Sequence, residues 1–166
     1  KRRVGFTADE IKILLELPEQ KSETGLRDMV LLSLMYATGT RAQEICDLTV
    51  KSVNFRTSGT TIDIVGKGAK ARRIRIPDHC ASMLKKYMKH RRIETEPDRH
   101  IFSSQTHEHM TISCVEEIYK KYIKLAKEMN ESIELLSECL KPQNITIYAK
   151  RYFRKYSTIT TRSNWN

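Results

Sequence analysis

The stretch that decides the fold is residues 34–48, which read LMYATGTRAQEICDL. Residues 28–38, which overlap its start, are apolar at nearly every position and predict a helix that is buried on most sides. Gly39 can adopt the left-handed conformation that commonly ends a helix. A second short helix is predicted at once, over residues 42–48. Arg41 is therefore expected at the corner between two packed helices.

Arg41 has two interpretations at this point. It presents a cation at the mouth of the corner, or it caps the surface of that corner and pairs with Glu44. The local sequence alone leaves both open.

Three short runs after this corner are typical of β-strands. They cover residues 53–55, 61–65 and 72–76, where isoleucines alternate with polar neighbours as in half-buried strands. Residues 66–70, which read GKGAK, join the last two runs as a hairpin loop, with glycines for the positive φ angles that such loops need. Lys67 is thereby expected at the tip of the hairpin, although a solvated basic turn is the alternative interpretation.

Helices account for most of the remaining pattern. A capping box at residues 7–10 predicts a helix that ends before Pro18, and another helix is predicted over residues 78–90. Thr111 is expected to cap a long amphipathic helix that ends near Met129. Its predicted core stripe consists of Ile112, Val115, Ile118, Tyr122, Leu125 and Met129. The predicted fold class is α+β, mostly helical, with a small three-stranded antiparallel sheet.

Two boxes, read together, resemble a known family. Residues 36–45 read YATGTRAQEI, and after an intervening strand pair residues 66–77 read GKGAKARRIRIP. Both boxes in this order resemble the first half of the catalytic domain of tyrosine recombinases, the phage-integrase family. The resemblance extends back to residues 5–10 and forward to about residue 129, and it implies the fold of that catalytic domain.

The resemblance implies roles for three residues. Arg41 would bind the non-bridging oxygens of the scissile phosphate, because its planar fork matches that geometry better than a lysine does. Glu44 would keep the active site in order, and its position one turn after Arg41 suits it to orient the guanidinium group. Lys67 would protonate the departing 5′-hydroxyl group, which requires an ammonium group held at the leaving oxygen.

Two parts of the family's site lack a clear match. The family attacks the phosphate with a tyrosine and completes the pocket with a His-x-x-Arg box, but none of the five histidines has an arginine three residues later. The best positional match, residues 142–146, reads PQNIT. The surroundings of Tyr148 are similar to those of the nucleophile, but Tyr152 and Tyr156 are close by. The nucleophile is therefore left open.

Charge favours a nucleic-acid partner. Thirty Lys and Arg against twenty Asp and Glu give a formal net charge of +10, which attracts polyanions and predicts salt-sensitive binding. We expect double-stranded DNA as the partner, with a homo-oligomer on that DNA; an RNA-binding helical module has little support beyond charge. Candidate DNA contacts are Lys70, Arg72, Arg73 and Arg75. Strand alternation places Arg73 and Arg75 on one face of the strand and Arg72 on the other.

Other classes of protein are disfavoured. No segment approaches the roughly 20 apolar residues of a membrane-spanning helix, and the start of the chain is unlike a signal peptide, so a cytoplasmic protein is expected. The cysteines lie at wide, irregular intervals, as in a reduced compartment, and no zinc-site spacing is present. They are Cys46, Cys80, Cys114 and Cys139. We expect neither a metal nor a cofactor, because the family's phosphotyrosyl bond conserves the energy of the phosphodiester.

The chain divides into two parts by this pattern. Residues 1–131 are expected to form a partial recombinase-like catalytic domain, without the helical domain that usually precedes it in the family. Residues 132–166 lose the family pattern and are expected to be a divergent or truncated C-terminal segment. The predicted function is site-specific DNA recombination or integration, by strand cleavage and rejoining through a phosphotyrosyl intermediate, as an incomplete catalytic domain. The alternative is a non-catalytic DNA-binding remnant of an integrase.

Overall fold

A computed structural model describes residues 8–66, 68 and 70–129. The helices are α1 (Ala8–Glu16), α2 (Glu23–Thr38), α3 (Ala42–Cys46), α4 (Asp78–His90) and α5 (Ile112–Met129), with a 3₁₀ turn at Val50–Ser52. The strands are β1 (Val53–Asn54), β2 (Thr61–Val65) and β3 (Ala71–Arg75). They form one antiparallel sheet in the order β1-β2-β3, so the predicted fold class is confirmed.

Helix α2 lies at the centre of the core and packs against α1, α3 and α4. Most of its side chains are buried, as predicted from its apolar composition. It begins earlier than expected, because the Ser22 hydroxyl accepts a hydrogen bond from the Gly25 amide at 3.1 Å and caps the helix there. It ends as predicted: Gly39 is left-handed, with φ 60°, and its amide donates to the Met35 carbonyl at 2.9 Å.

Replacing Gly39 by alanine is expected to destabilise the protein by about 1 kcal/mol, since a Cβ disfavours the left-handed conformation. Gly39→Asn is the matched variant, because asparagine tolerates this conformation better, and its loss should be smaller. Urea unfolding of both variants measures the difference. Equal stability of Gly39→Ala and the wild-type protein would contradict the assigned role of this cap.

The isoleucines of the sheet lie on its inner face, together with Arg72, whereas Asp63, Arg73 and Arg75 lie on its outer face. Ile62 and Ile64 of β2 are buried, and Ile64 pairs with Arg72 of β3. Asp63 points to the outer face, where it pairs with Arg73. The predicted strands were correct within one residue at each end, and the predicted alternation of the arginines along β3 agrees with the pattern of exposure.

Helices α4 and α5 close the core, with one correction. The bounds of α4 are those predicted, and the Thr111 hydroxyl caps α5 by accepting from the Cys114 amide at 3.3 Å. The predicted stripe on α5 was wrong at Ile112 and Leu125, which are 39% and 37% exposed. Ile112 is the first residue of the helix, and the buried face is rotated relative to the predicted stripe. The buried residues of α5 are Val115, Ile118, Tyr119, Tyr122, Ile123 and Ala126.

A buried carboxylate joins α2 to α5. Asp28, 1% exposed, accepts a hydrogen bond from the Tyr122 hydroxyl at 2.9 Å and two from the Arg27 guanidinium at 2.7 and 2.9 Å. Burial, and then the neighbouring Asp28 carboxylate, raise the pKa of Tyr122. Because a buried carboxylate is stable only when its oxygens are paired, this network fixes the position of α5 against α2.

Other features of the described residues bear on the expectations from sequence. Cys46 and Cys80 are buried, Cys114 is half-buried, and all three are free thiols, whereas Cys139 lies outside the described residues. Within the described part of the chain, no helix is both long and apolar enough to cross a membrane. The same part holds no group of three or more side chains suited to a metal ion.

Candidate functional site

Arg41 lies at the corner between α2 and α3, in extended conformation at the N-cap position of α3. The backbone around it is held firmly. The Thr38 hydroxyl donates to the Leu34 carbonyl at 2.6 Å and lies 3.1 Å from the hydroxyl of Thr40, which is fully buried. The Arg41 side chain is nonetheless 63% exposed. The corner therefore presents a guanidinium group to solvent from a rigid backbone.

Glu44 stabilises this corner from inside. Its side chain is only 5% exposed, and it accepts a hydrogen bond from the Arg41 amide at 2.8 Å, to Oε2, and one from Arg41 Nη1 at 3.2 Å, to Oε1. The pairing of Arg41 with Glu44, one of the two interpretations drawn from sequence, is thus present. The exposure of Arg41 shows that it is also presented to solvent, so the two interpretations coexist.

Arg72 reaches the same carboxylate from the sheet. Its Nη1 donates to Glu44 Oε1 at 2.9 Å, and its Nη2 donates to Glu44 Oε2 at 2.7 Å. Burial alone would raise the pKa of Glu44, but the hydrogen bonds from Arg72 and the Arg41 amide, together with both arginine charges, lower it overall. Glu44 is therefore a buried, ionised carboxylate between two guanidinium groups.

The stability of the protein should fall in acid partly through Glu44. Because its pKa is lower in the folded than in the unfolded chain, its contribution is complete above the unfolded-state pKa and is lost as the pH falls through the folded-state pKa. Urea unfolding over a series of pH values from neutral to acidic would measure this loss. Glu44→Gln should have a flatter profile in that acidic window, and an unchanged profile would contradict the assignment.

Lys67 lies outside the described residues, but its neighbours Gly66 and Gly68 are described. The Gly66 amide donates to the Lys70 carbonyl at 3.0 Å, which closes the hairpin between β2 and β3. Gly68 has a φ of 76°, as expected for the loop, whereas Gly66 is not in the left-handed region. Gly66 is instead close to the buried carboxylate, since a Cβ placed on it would lie 3.1 Å from Glu44 Oε1. Gly66, at the start of the hairpin loop, therefore lies next to the Arg41 corner.

The other cations predicted from sequence lie apart from this cluster. Arg73, on the outer face of β3, donates to both carboxylate oxygens of Asp63 at 2.6 and 2.8 Å. Arg75 shares that face and lies against Gly59, and the Lys70 side chain is exposed. The four candidate DNA contacts therefore do not form a single row. This agrees with the strand alternation, which predicted Arg72 on the face opposite to Arg73 and Arg75.

A second cluster at the far end of α3 was missed by sequence reasoning. His109 Nε2 lies 3.1 Å from Asp47 Oδ1, and the rings of His109 and His100 stack with centroids 4.1 Å apart. Burial, followed by the charge of His109, lowers the pKa of His100. A bridge between Thr49 and His100 brings these distant segments together, and no local pattern indicates it.

Comparison with known proteins identifies the family. The sequence model of the phage integrase family matches residues 5–135, which is most of the chain. The chain belongs to the phage integrase family. The resemblance seen in the two boxes is confirmed by this match.

The chain is also similar in sequence to individual members of the phage integrase family. The chain is 32% identical over 85 residues to tyrosine recombinase XerC of Staphylococcus aureus (strain JH9), which covers 51% of this chain and 28% of that protein. The same figures hold for XerC of Staphylococcus aureus (strain N315). The chain thus spans less than a third of the length of these relatives.

Two solved structures confirm the fold. A XerH site-specific recombinase bound to difH substrate, in a pre-cleavage complex, matches with a TM-score of 0.74 at 21% identity, over 95% of this chain and 45% of that one. A XerA recombinase matches with a TM-score of 0.70 at 21% identity, over 93% of this chain and 52% of that one.

The remaining site candidates from the sequence, residues 142–146 with Tyr148, Tyr152 and Tyr156, lie outside the described residues.

Proposed function

We propose that this chain serves site-specific DNA recombination, in which strands are cleaved and rejoined through a phosphotyrosyl intermediate. Residues 1–131 would form a partial catalytic domain and residues 132–166 a divergent segment. Its relatives are named tyrosine recombinases, and one solved neighbour is a site-specific recombinase bound to its substrate. The family match over residues 5–135 covers most of the first part and supports its assignment to a recombinase-like domain.

The observation that carries the proposal is the exposed guanidinium of Arg41 on its rigid corner. Among the described residues, that group makes one side-chain hydrogen bond, from Nη1 to Glu44, at 3.2 Å. Its remaining side-chain donors have no hydrogen-bond partner among the described residues, and a guanidinium group can bind the non-bridging oxygens of a phosphate in a bidentate manner. Because Glu44 also holds the Arg41 amide, the guanidinium is positioned before a phosphate arrives.

Lys67 would act as the general acid of the same reaction. In the cleavage step, a tyrosine hydroxyl loses its proton to solvent and its oxygen bonds to phosphorus, while the bond from phosphorus to the 5′-oxygen breaks. The leaving oxygen takes its proton from the Lys67 ammonium group, and the strand stays attached as a 3′-phosphotyrosyl ester. Rejoining reverses these steps, so neither a metal nor a nucleotide is consumed. The contact of Gly66 with the Glu44 carboxylate supports a position of this hairpin beside Arg41.

Double-stranded DNA is the proposed partner, with a homo-oligomer on it, because recombination brings two duplexes together. Lys70, Arg73 and Arg75 are proposed as backbone contacts, which fix the register of a protein on DNA without reading sequence. The net charge of +10 supports a strong attraction to the phosphate backbone.

A second function is favoured by one observation on the sequence. The chain has no His-x-x-Arg box, which leaves the phosphate site short of two of the family's groups. The second candidate is therefore a DNA-binding protein of this family that does not cleave.

Two experiments test the proposal. The full chain should bind duplex DNA with an affinity that falls steeply as the salt concentration rises. It should form no denaturation-resistant covalent adduct with a pool of nicked suicide duplexes. A chimera in which residues 1–131 replace the matching part of a family member with a known DNA site should form the adduct on that site. A chimera that binds but never cleaves would favour the second candidate, and failure of the full chain to bind DNA would overturn both.

A further inference from the structure

Arg72 occupies an unusual place for a DNA-contacting cation. On β3 it lies on the same face as Ile74, opposite to Arg73 and Arg75, and its side chain is 34% exposed. Both of its terminal nitrogens donate to Glu44, at 2.9 and 2.7 Å. These hydrogen bonds raise the pKa of Arg72, so its charge is matched by a buried carboxylate instead of being offered to solvent.

The carboxylate of Glu44 is shared between two elements that are far apart in sequence. Oε1 accepts from Arg41 Nη1 and Arg72 Nη1, and Oε2 accepts from the Arg41 amide and Arg72 Nη2. Arg72 makes the two shorter side-chain contacts, and it is less exposed than Arg41. The pair with Arg72 therefore neutralises the Glu44 carboxylate. It also prevents Glu44 from binding all the side-chain donors of the Arg41 guanidinium group.

The hairpin is fixed to the same group. A Cβ on Gly66 would lie 3.1 Å from Glu44 Oε1 and 3.3 Å from Arg72 Nη1, so the strand end packs directly against this ion pair. The neighbouring Lys67 follows Gly66 in the chain. One bidentate pair thus joins the Arg41 corner to the sheet beside the start of the hairpin loop.

We infer that Arg72 is a positioning residue for the phosphate site, which acts through Glu44 on Arg41 and on the start of the Lys67 hairpin. This inference rests on the proposed function, and it replaces the DNA contact expected for Arg72 from sequence. Among the described residues, losing Arg72 leaves Glu44 with Arg41 as its one charged partner. The carboxylate then draws the Arg41 guanidinium inward, away from a bound phosphate.

The test measures the affinity of single and double variants of the full chain for a short DNA duplex over a range of salt concentrations. Each phosphate contact contributes about 0.9 to the slope of log affinity against log salt. Arg41→Ala should lower the slope by about 0.9. Arg72→Gln should lower it similarly, and the double variant should lose no more than either single one. Lys70→Ala, a cation from the same hairpin, is the matched control and should be additive with Arg41→Ala.

The outcomes separate the alternatives. A loss of about 1.8 in the Arg41→Ala/Arg72→Gln double variant would mean that Arg72 contacts DNA independently, and would overturn the inference. No effect of Arg72→Gln beside a normal effect of Arg41→Ala would overturn it too. Arg72→Lys keeps the charge but not the fork, so it should restore the slope only in part.

A second measurement is independent of DNA. In amide ¹H–¹⁵N spectra, Arg72→Gln should shift the signals of Arg41 and Gly66, and Lys70→Ala should leave the Arg41 signal in place. Unmoved Arg41 and Gly66 signals would overturn the inference. An unchanged salt slope in Arg41→Ala, with these signals shifted by Arg72→Gln, would instead contradict the phosphate-binding role of Arg41 and leave the positioning contact established.

Discussion

Arg41→Lys in the chimeric recombinase is expected to reduce strand cleavage on the order of 100- to 1000-fold, which is the usual effect of removing one preorganised donor from a charged transition state. Lysine keeps the charge but offers a point cation in place of a planar fork. It also cannot reproduce the side-chain hydrogen bond to Glu44 in the same geometry. DNA affinity should change only a few-fold, because many other cations share in binding.

The covalent adduct on a suicide substrate measures cleavage, and filter binding of the same duplex measures affinity. Arg73→Lys is the matched control, since Arg73 lies on the outer face of the sheet and pairs with Asp63. It should cleave at close to the unsubstituted rate. Normal adduct formation by Arg41→Lys would exclude Arg41 as the phosphate ligand.

The Arg41 corner was predictable because its determinants are local. An apolar run followed at once by Gly39 specifies a buried helix with a left-handed end, and both features are present. Glu44 follows Arg41 by one turn, so their contact also follows from spacing. Local sequence is sufficient wherever the interacting groups are held by one short stretch of chain.

The partners of Glu44 and Asp28 were not predictable in the same way. Arg72 reaches Glu44 across 28 residues, and Tyr122 reaches Asp28 across 94. Strand alternation correctly predicted which face of the sheet Arg72 occupies. It did not predict that this face lies against the Arg41 corner. Only the packing of the sheet against α3 decides that, and it converts a cation expected to bind DNA into a partner of a buried carboxylate.

The error on α5 has a similar cause. Three- and four-residue steps fit more than one stripe on a helix, and the sequence does not say which one meets α2. Tyr122 lies on both the predicted and the observed face, but the packed helix also buries Tyr119 and Ile123 and leaves Leu125 partly exposed. Periodicity thus predicted the helix and its length, while tertiary packing selected its buried face.

Lys67→Ala is expected to lose on the order of 100- to 10,000-fold in cleavage of an ordinary phosphodiester, the range of a lost general acid. Its defect should nearly vanish on a substrate with sulfur in place of the 5′-bridging oxygen, because a thiolate leaves without a proton. The role depends on an ammonium group held at the leaving oxygen. Gly66, the residue before Lys67, lies close to the Glu44 carboxylate, which supports this proposal.

The two substrates are compared in the same chimera, with the adduct as the readout. Arg41→Lys is the control, since a phosphate ligand is needed for both leaving groups and its defect should persist with sulfur. Gly66→Ala should give a smaller defect on the oxygen substrate, because its Cβ crowds Glu44 Oε1 and moves the start of the hairpin. If Lys67→Ala is equally impaired on both substrates, Lys67 binds the phosphate but does not protonate the leaving group.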